Sequence, residues 1–179
     1  MAGDLRILAI LCVIGARPNV VKMARVVAAL RRRLPDARHG VVHTGQHYDR
    51  LMSSIFIEQL GVPSPDYVLG VGSGTHAVQT ARIMERIEPV IEAERPDLVI
   101  VPGDVNSTLA ATLVAVKLGV PLAPVESGLR TFDRMMPEEI TRIVADEFTD
   151  FLSIHSDEAL DTPRAEGIGG GPVHSSATR

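Results

Sequence analysis

A chain of 179 residues, 45% hydrophobic and 22% charged, can build one domain with a substantial core. A net charge of −4 points away from a nucleic-acid-binding surface, and a lone cysteine, Cys12, inside an apolar run excludes internal disulfides and a cysteine metal site. The run Ile7–Ile14 is too short to span a bilayer and lacks a signal peptide's basic start and cleavage site, so a reducing, cytoplasmic setting and no membrane partner are expected.

The predicted elements alternate between strand and helix. Short apolar runs recur at "RILAILCVIG", "RHGVVHTG", "DLVIVPGD", "VPLAPVES" and "DFLSIHS". Most are unbroken rather than alternating, as strands buried on both faces should be. Between them, Val20, Ala24, Val27, Leu30 and Leu34 step at helical spacing, as do Val78, Ala81, Met84, Ile87 and Ile91. Further helices are predicted over 48–60, 107–118 and 137–148. Such alternation specifies an α/β fold: a Rossmann-like parallel sheet with helices on both faces. The domain is expected over 1–164. The tail 165–179, rich in Gly, Ser and Thr without an apolar face, is expected to be disordered.

In open parallel sheets ligands bind outside the carboxyl ends of the strands, so the loops leaving the strands are the places to look. "GARPN" (15–19) puts Arg17 at a strand exit and Pro18 at a helix start, with Lys22 one turn on. That pattern serves an ordinary helix start, and it equally serves an anion site at a helix N-terminus. "GDVNST" (103–108) ends a strand with Asp104 and supplies Asn106 and Ser107 as caps for the next helix. Capping accounts for the latter two and leaves Asp104 as a carboxylate at the functional edge. Glu126 ends another buried strand, near Asp104 on the neighbouring exit. "PEE" (137–139) reads by itself as a helix start, with Pro first and acids facing the positive end of the dipole.

Other signals are negative. "GVGSGT" (70–75) lacks the G-x-G-x-x-G spacing of a dinucleotide site, and no G-x-x-x-x-G-K-[ST] occurs. The six histidines show no helical metal spacing, so no metal is expected. His47 remains a polar group on the ligand edge.

Taken together, "GARPNVVKMA", "HTGQHYD", "PDLVIVPGDVNSTLAA", "VPLAPVESGLR" and "MPEEITRI" resemble the non-hydrolysing UDP-N-acetylglucosamine 2-epimerases in order and spacing, over about residues 6–164. The resemblance implies one half of a B-type glycosyltransferase-like fold, with a UDP-sugar held between two Rossmann-like halves. It implies interconversion of UDP-N-acetylglucosamine and UDP-N-acetylmannosamine without a cofactor, by elimination and readdition of UDP. Matched motif by motif, Asp104, Glu126 and Glu138 would be the catalytic carboxylates. Arg17, Lys22, Gln46, His47 and Arg130 would bind substrate, with Arg17 and Lys22 near the pyrophosphate. A homodimer is implied as well. Pro124 and Ser127 depart from the family's usual His and Ala. Family members are about twice as long, so the C-terminal domain is expected to be absent and the chain by itself inactive. The competing expectation is a non-catalytic module that binds nucleotide sugar or only dimerises.

Overall fold

The computed structural model describes residues 7–15, 17–45, 64–154, 161–168 and 173–175. Seven parallel strands form a single sheet: β1 (Ala9–Ile14), β2 (Arg38–His43), β3 (Tyr67–Val68), β4 (Leu98–Pro102), β5 (Leu122–Val125), β6 (Leu152–Ile154) and β7 (Val173–Ser175). Their spatial order is β3-β2-β1-β4-β5-β6-β7, the doubly wound arrangement whose direction reverses between β1 and β4. The intervening helices are α1 (Arg17–Arg33), α2 (His76–Glu94), α3 (Asn106–Lys117), α4 (Pro137–Glu147) and α5 (Asp161–Ala165).

The unbroken apolar runs have the cause expected of them. Along β1, Ile10, Cys12 and Ile14 pack with Met23 and Val27 of α1, while Leu11 and Val13 pack with Ile87 and Ile91 of α2 and Ala111 and Val114 of α3. Alternate side chains therefore enter two separate cores on opposite faces, and both cores need apolar residues. Cys12 belongs to one of them. Burial pushes its thiol up to about 12, which makes it an inert packing group.

Three aspartates fasten the sheet at its amino edge. Asp66, Asp97 and Asp150 each precede a strand, and each carboxylate accepts the backbone N–H of a residue in the neighbouring strand: Val41, Ala9 and Leu122, at 2.8–2.9 Å. The same aspartates donate their own N–H back to the carbonyls of those residues, at 2.9, 2.7 and 3.0 Å. Each clasp gives a backbone donor a partner where the neighbouring strand begins.

The strands and helices read from the sequence are present, within a few residues at each end, apart from the helix over 48–60, which lies outside the described residues. The tail differs from expectation. Val173–Ser175 pairs in parallel with Leu152–Ile154 as edge strand β7, although its surroundings carry no apolar face. Edge strands need only backbone partners on one side, so composition is a poor guide to them.

Candidate active site

The sheet's reversal places the exits of β1 and β4 side by side, and β5 follows β4. The carboxyl edge there carries α1's N-terminus with Arg17, the Gly103–Asp104 turn, and the 126–128 turn. Gly103 holds φ 53°, and a Cβ there would stand 3.4 Å from Oδ1 of the buried Asn19. Glycine lets α1 and the β4 exit approach closely.

Two of the expected carboxylates meet cations at this edge. Lys22 Nζ on α1 donates to Glu126 Oε2 at 2.6 Å. This pair ties α1 to the exit of β5. Asp104 is itself paired with Arg142 of α4. Asp104 and Glu126 keep side-chain exposures of 31% and 34%, so both remain open to solvent. Glu126 sits at φ 68°, the left-handed region that a non-glycine residue enters at a cost of about 1–2 kcal/mol. Such strain is held only where the surroundings over-determine it, and it gathers at functional sites.

The surroundings in question are a buried ion cluster. Asp146 of α4 accepts the N–H of Gly128 at 2.9 Å and pairs with Arg130 at 2.7 Å. Arg130 also makes a two-pronged contact to Glu166, at 2.6 and 3.1 Å, and donates to the Leu129 carbonyl. The Arg130 and Asp146 side chains are 1% and 4% exposed. Burial opposes the Arg130 charge, but its bonds to Glu166 and Asp146 more than offset that and hold the guanidinium protonated. Burial pushes the Asp146 carboxyl above the usual range, against the pull of Arg130 and the Gly128 N–H. Arg130 is thus turned inward, with four hydrogen bonds to the protein. Its observed work is to pin the turn that presents Glu126.

Glu138 and Glu139 divide in a way the pattern "PEE" hides. Glu138 is half-buried at the start of α4 and has no hydrogen-bond or ion-pair partner among the described residues. Glu139 is buried: it accepts the N–H and hydroxyl of Thr131 and the N–H of Phe132, each at 3.0 Å, and pairs with Arg142 at 3.2 Å. Burial alone would raise its carboxyl, yet those bonds hold it below the usual carboxylate value. Phe132, at φ 59° and 78% exposed, is bent outward by this clasp. Sequence reading missed Glu139, Arg142 and Asp146. Their spacing of three and four residues was the available signal, since it puts all three on one face of α4.

The capping assignment for α3 also needs correction. Its N-cap is Val105, with no side-chain cap bond. Asn106 instead bridges His76 at 3.0 Å and Gln79 at 2.7 Å on α2, and Ser107 meets Thr44 at 3.2 Å. Pro137 does occupy the first turn of α4. Gln46 and His47 lie outside the described residues, as does the side chain of Arg17. Among the described residues there is no cluster able to hold a metal and no helix long and apolar enough to cross a membrane. Two surface grooves, of about 960 and 750 Å³, lie at the opposite, amino edge around Arg38 and Glu94 and around Asp97 and Pro121, and neither is lined by Asp104, Glu126 or Glu138.

Comparison with known proteins agrees with this fold. Residues 28–175 match the family described as UDP-N-acetylglucosamine 2-epimerase. A Pseudomonas aeruginosa UDP-2,3-diacetamido-2,3-dideoxy-D-glucuronate 2-epimerase is 48% identical over 161 residues, 89% of this chain and 45% of that protein. A UDP-N-acetylglucosamine 2-epimerase of Methanocaldococcus jannaschii is 43% identical over 156 residues, 87% of this chain and 42% of that protein. The crystal structure of a Methanocaldococcus jannaschii UDP-GlcNAc 2-epimerase, in complex with UDP-GlcNAc and UDP, superposes with a TM-score of 0.89 at 39% identity, covering 94% of this chain and 46% of that one. The chain spans less than half the length of these relatives. With its parallel sheet, its carboxylate-bearing edge and these matches in agreement, the chain belongs to the UDP-N-acetylglucosamine 2-epimerase family.

Proposed function

We propose that this chain supplies one wall of an epimerase site that interconverts UDP-N-acetylglucosamine and UDP-N-acetylmannosamine. The observation that carries the reading is the pair of carboxylates, Asp104 and Glu126, on the adjacent exits of β4 and β5 beside the sheet's reversal point, with Lys22 paired to Glu126. In the reaction the C1–O bond to UDP breaks, a carboxylate takes the C2 proton, and neutral 2-acetamidoglucal and UDP result. UDP then re-forms the C1–O bond while a proton returns to C2 from the opposite face. No net oxidation occurs, so no redox cofactor is required. The C2 proton is barely acidic, and loss of the leaving group builds positive charge on the sugar that nearby carboxylates stabilise.

Asp104, Glu126 and Glu138 are the carboxylates assigned to this work, with Arg17 and Lys22 facing the pyrophosphate and Gln46 and His47 on the sugar nucleotide. Lys22 is held by Glu126 in the resting site, so substrate phosphate would compete for its ammonium group. That exchange would leave Glu126 freer as the phosphate arrives. A homodimer is part of the same reading. By itself the chain is expected to turn over no substrate: with both carboxylates about one-third exposed, water reaches the sugar and preorganisation is lost.

The similarity to the Pseudomonas aeruginosa protein favours a second substrate, UDP-2,3-diacetamido-2,3-dideoxy-glucuronate, for the same chemistry. Both substrates should be offered to the chain alone and to the chain supplied with the C-terminal half of the Methanocaldococcus jannaschii relative, with conversion at C2 followed by proton NMR. Conversion of either substrate only in the supplemented sample supports the proposal and selects the sugar. Turnover by the chain alone would overturn the one-wall argument. Binding of UDP-sugar without conversion in any sample would leave a non-catalytic module.

A further inference from the structure

Arg142 has no part in the chemistry above, yet it joins two carboxylates at this edge that belong to different elements, Asp104 and Glu139. It stands one turn beyond Glu138 on α4 and is 18% exposed. One guanidinium nitrogen, Nη2, donates to Asp104 Oδ2, and the other, Nη1, donates to Glu139 Oε2 at 3.2 Å. Glu139 in turn holds the N–H groups of Thr131 and Phe132. The circuit runs from the β4–α3 turn, through α4, to the loop that follows the Glu126 turn. A planar guanidinium can hold two carboxylates in fixed directions at once, which an ammonium group cannot. Burial opposes the Arg142 charge, but bonds and attraction to Asp104 and Glu139 outweigh it, so the guanidinium stays protonated.

With Oδ2 engaged by Arg142, Oδ1 is the Asp104 oxygen that has no hydrogen-bond partner among the described residues. We propose that Arg142 is a positioning residue: it fixes which oxygen of Asp104 faces the cleft and, through Glu139, ties that orientation to the 131–132 loop. The inference rests on the proposed function only for what Asp104 does to a substrate. Loss of the 131–132 contacts to Glu139 would act on Arg142 and, through it, on the orientation of Asp104.

The test uses the 179-residue chain labelled with carbon-13 at its aspartate carboxyls. The Asp104 line is identified by its disappearance in Asp104→Asn. Glu139→Gln alters no group that touches Asp104, so a purely local ion pair leaves the line where it was. The proposal expects the line to shift and broaden, with the Thr131 and Phe132 amides exchanging at least ~10-fold faster. Arg142→Met should move the line furthest, and Arg142→Lys should restore it only in part, since an ammonium serves one carboxylate at a time. An unmoved line in folded Glu139→Gln overturns the coupling. An unmoved line in Arg142→Lys as well overturns the positioning role. Should Arg142→Met fail to fold, those two variants still decide. Failure of the functional reading would appear elsewhere, as UDP-sugar turnover that Asp104→Asn leaves intact.

Discussion

Replacing Arg130 with methionine separates a structural role from a substrate-binding one. The change keeps much of the side chain's bulk and removes the charge. It leaves Asp146, 4% exposed, and Glu166, 33% exposed, without their shared partner. It also deletes the four hydrogen bonds that the guanidinium makes to Asp146, Glu166 and the Leu129 carbonyl. Breaking a buried pair by removing one partner typically costs about 3–5 kcal/mol, because an uncompensated charge stays behind. Partial exposure of Glu166 lets water replace some of that loss, which favours the lower end, about 3 kcal/mol. Against a typical domain stability of about 5–15 kcal/mol, that is a large fraction. At about 2–4 °C per kcal/mol for a domain of this size, the melting temperature should fall by roughly 6–12 °C. Urea unfolding followed by circular dichroism reads the change as a lower midpoint at constant slope. Arg130→Met/Asp146→Asn should recover part of the loss, since the buried charge goes with its partner. A variant as stable as the parent but weakened in UDP-sugar binding would refute this reasoning and return Arg130 to the substrate.

Three further outcomes are expected. Gly45→Ala should destabilise by about 2 kcal/mol or more, because φ is 78° there and the new Cβ would meet the Gly70 Cα at 2.9 Å; a thermal melt within 2 °C of the parent would contradict it. Asp97→Ala should cost about 1–3 kcal/mol by stripping the N–H of Ala9 of its acceptor, read as a lower urea midpoint. His43 is buried with its Nδ1 accepting the Gly45 N–H, and burial lowers its affinity for a proton below the ordinary 6.5. The unfolded chain therefore protonates first, so this contribution to stability is present above about pH 6.5 and is lost as pH falls below it. His43→Asn should flatten the dependence of the urea midpoint on pH between 7 and 5, and an unchanged dependence would contradict the assignment.

How much of this was legible depends on which physical signal each residue carries. The sheet could be read because β1, β4 and β5 are buried on both faces, and two cores leave unbroken apolar runs in the sequence. Asp104 and Glu126 could be read because a carboxylate at the end of such a run has no packing reason to be there. β3 could not, since two residues make no periodicity, and β7 could not, since an edge strand needs little apolar content. The inner face of α4 was not read. Charges at 139, 142 and 146 look like a solvated stripe, but Arg142 and Asp146 pair with Asp104 and Arg130 in distant turns, and Glu139 pairs with Arg142 and takes backbone N–H groups from the 131–132 loop. Burial of a charge is decided by partners distant in sequence, and a helical pattern does not carry that information. The burial of Arg130 was hidden for the same reason: its partners, Asp146 and Glu166, lie 16 and 36 residues away.

The most direct test of the central claim is solvent isotope exchange at the sugar's C2. The chain supplied with a C-terminal half from a relative would be incubated with UDP-N-acetylglucosamine in deuterium oxide, beside Asp104→Asn prepared identically. The account predicts UDP-N-acetylmannosamine carrying deuterium at C2, and at least ~100-fold slower incorporation in Asp104→Asn, the scale set by loss of a positioned acid–base group. Conversion without deuterium at C2, or incorporation that Asp104→Asn leaves unchanged, would contradict it.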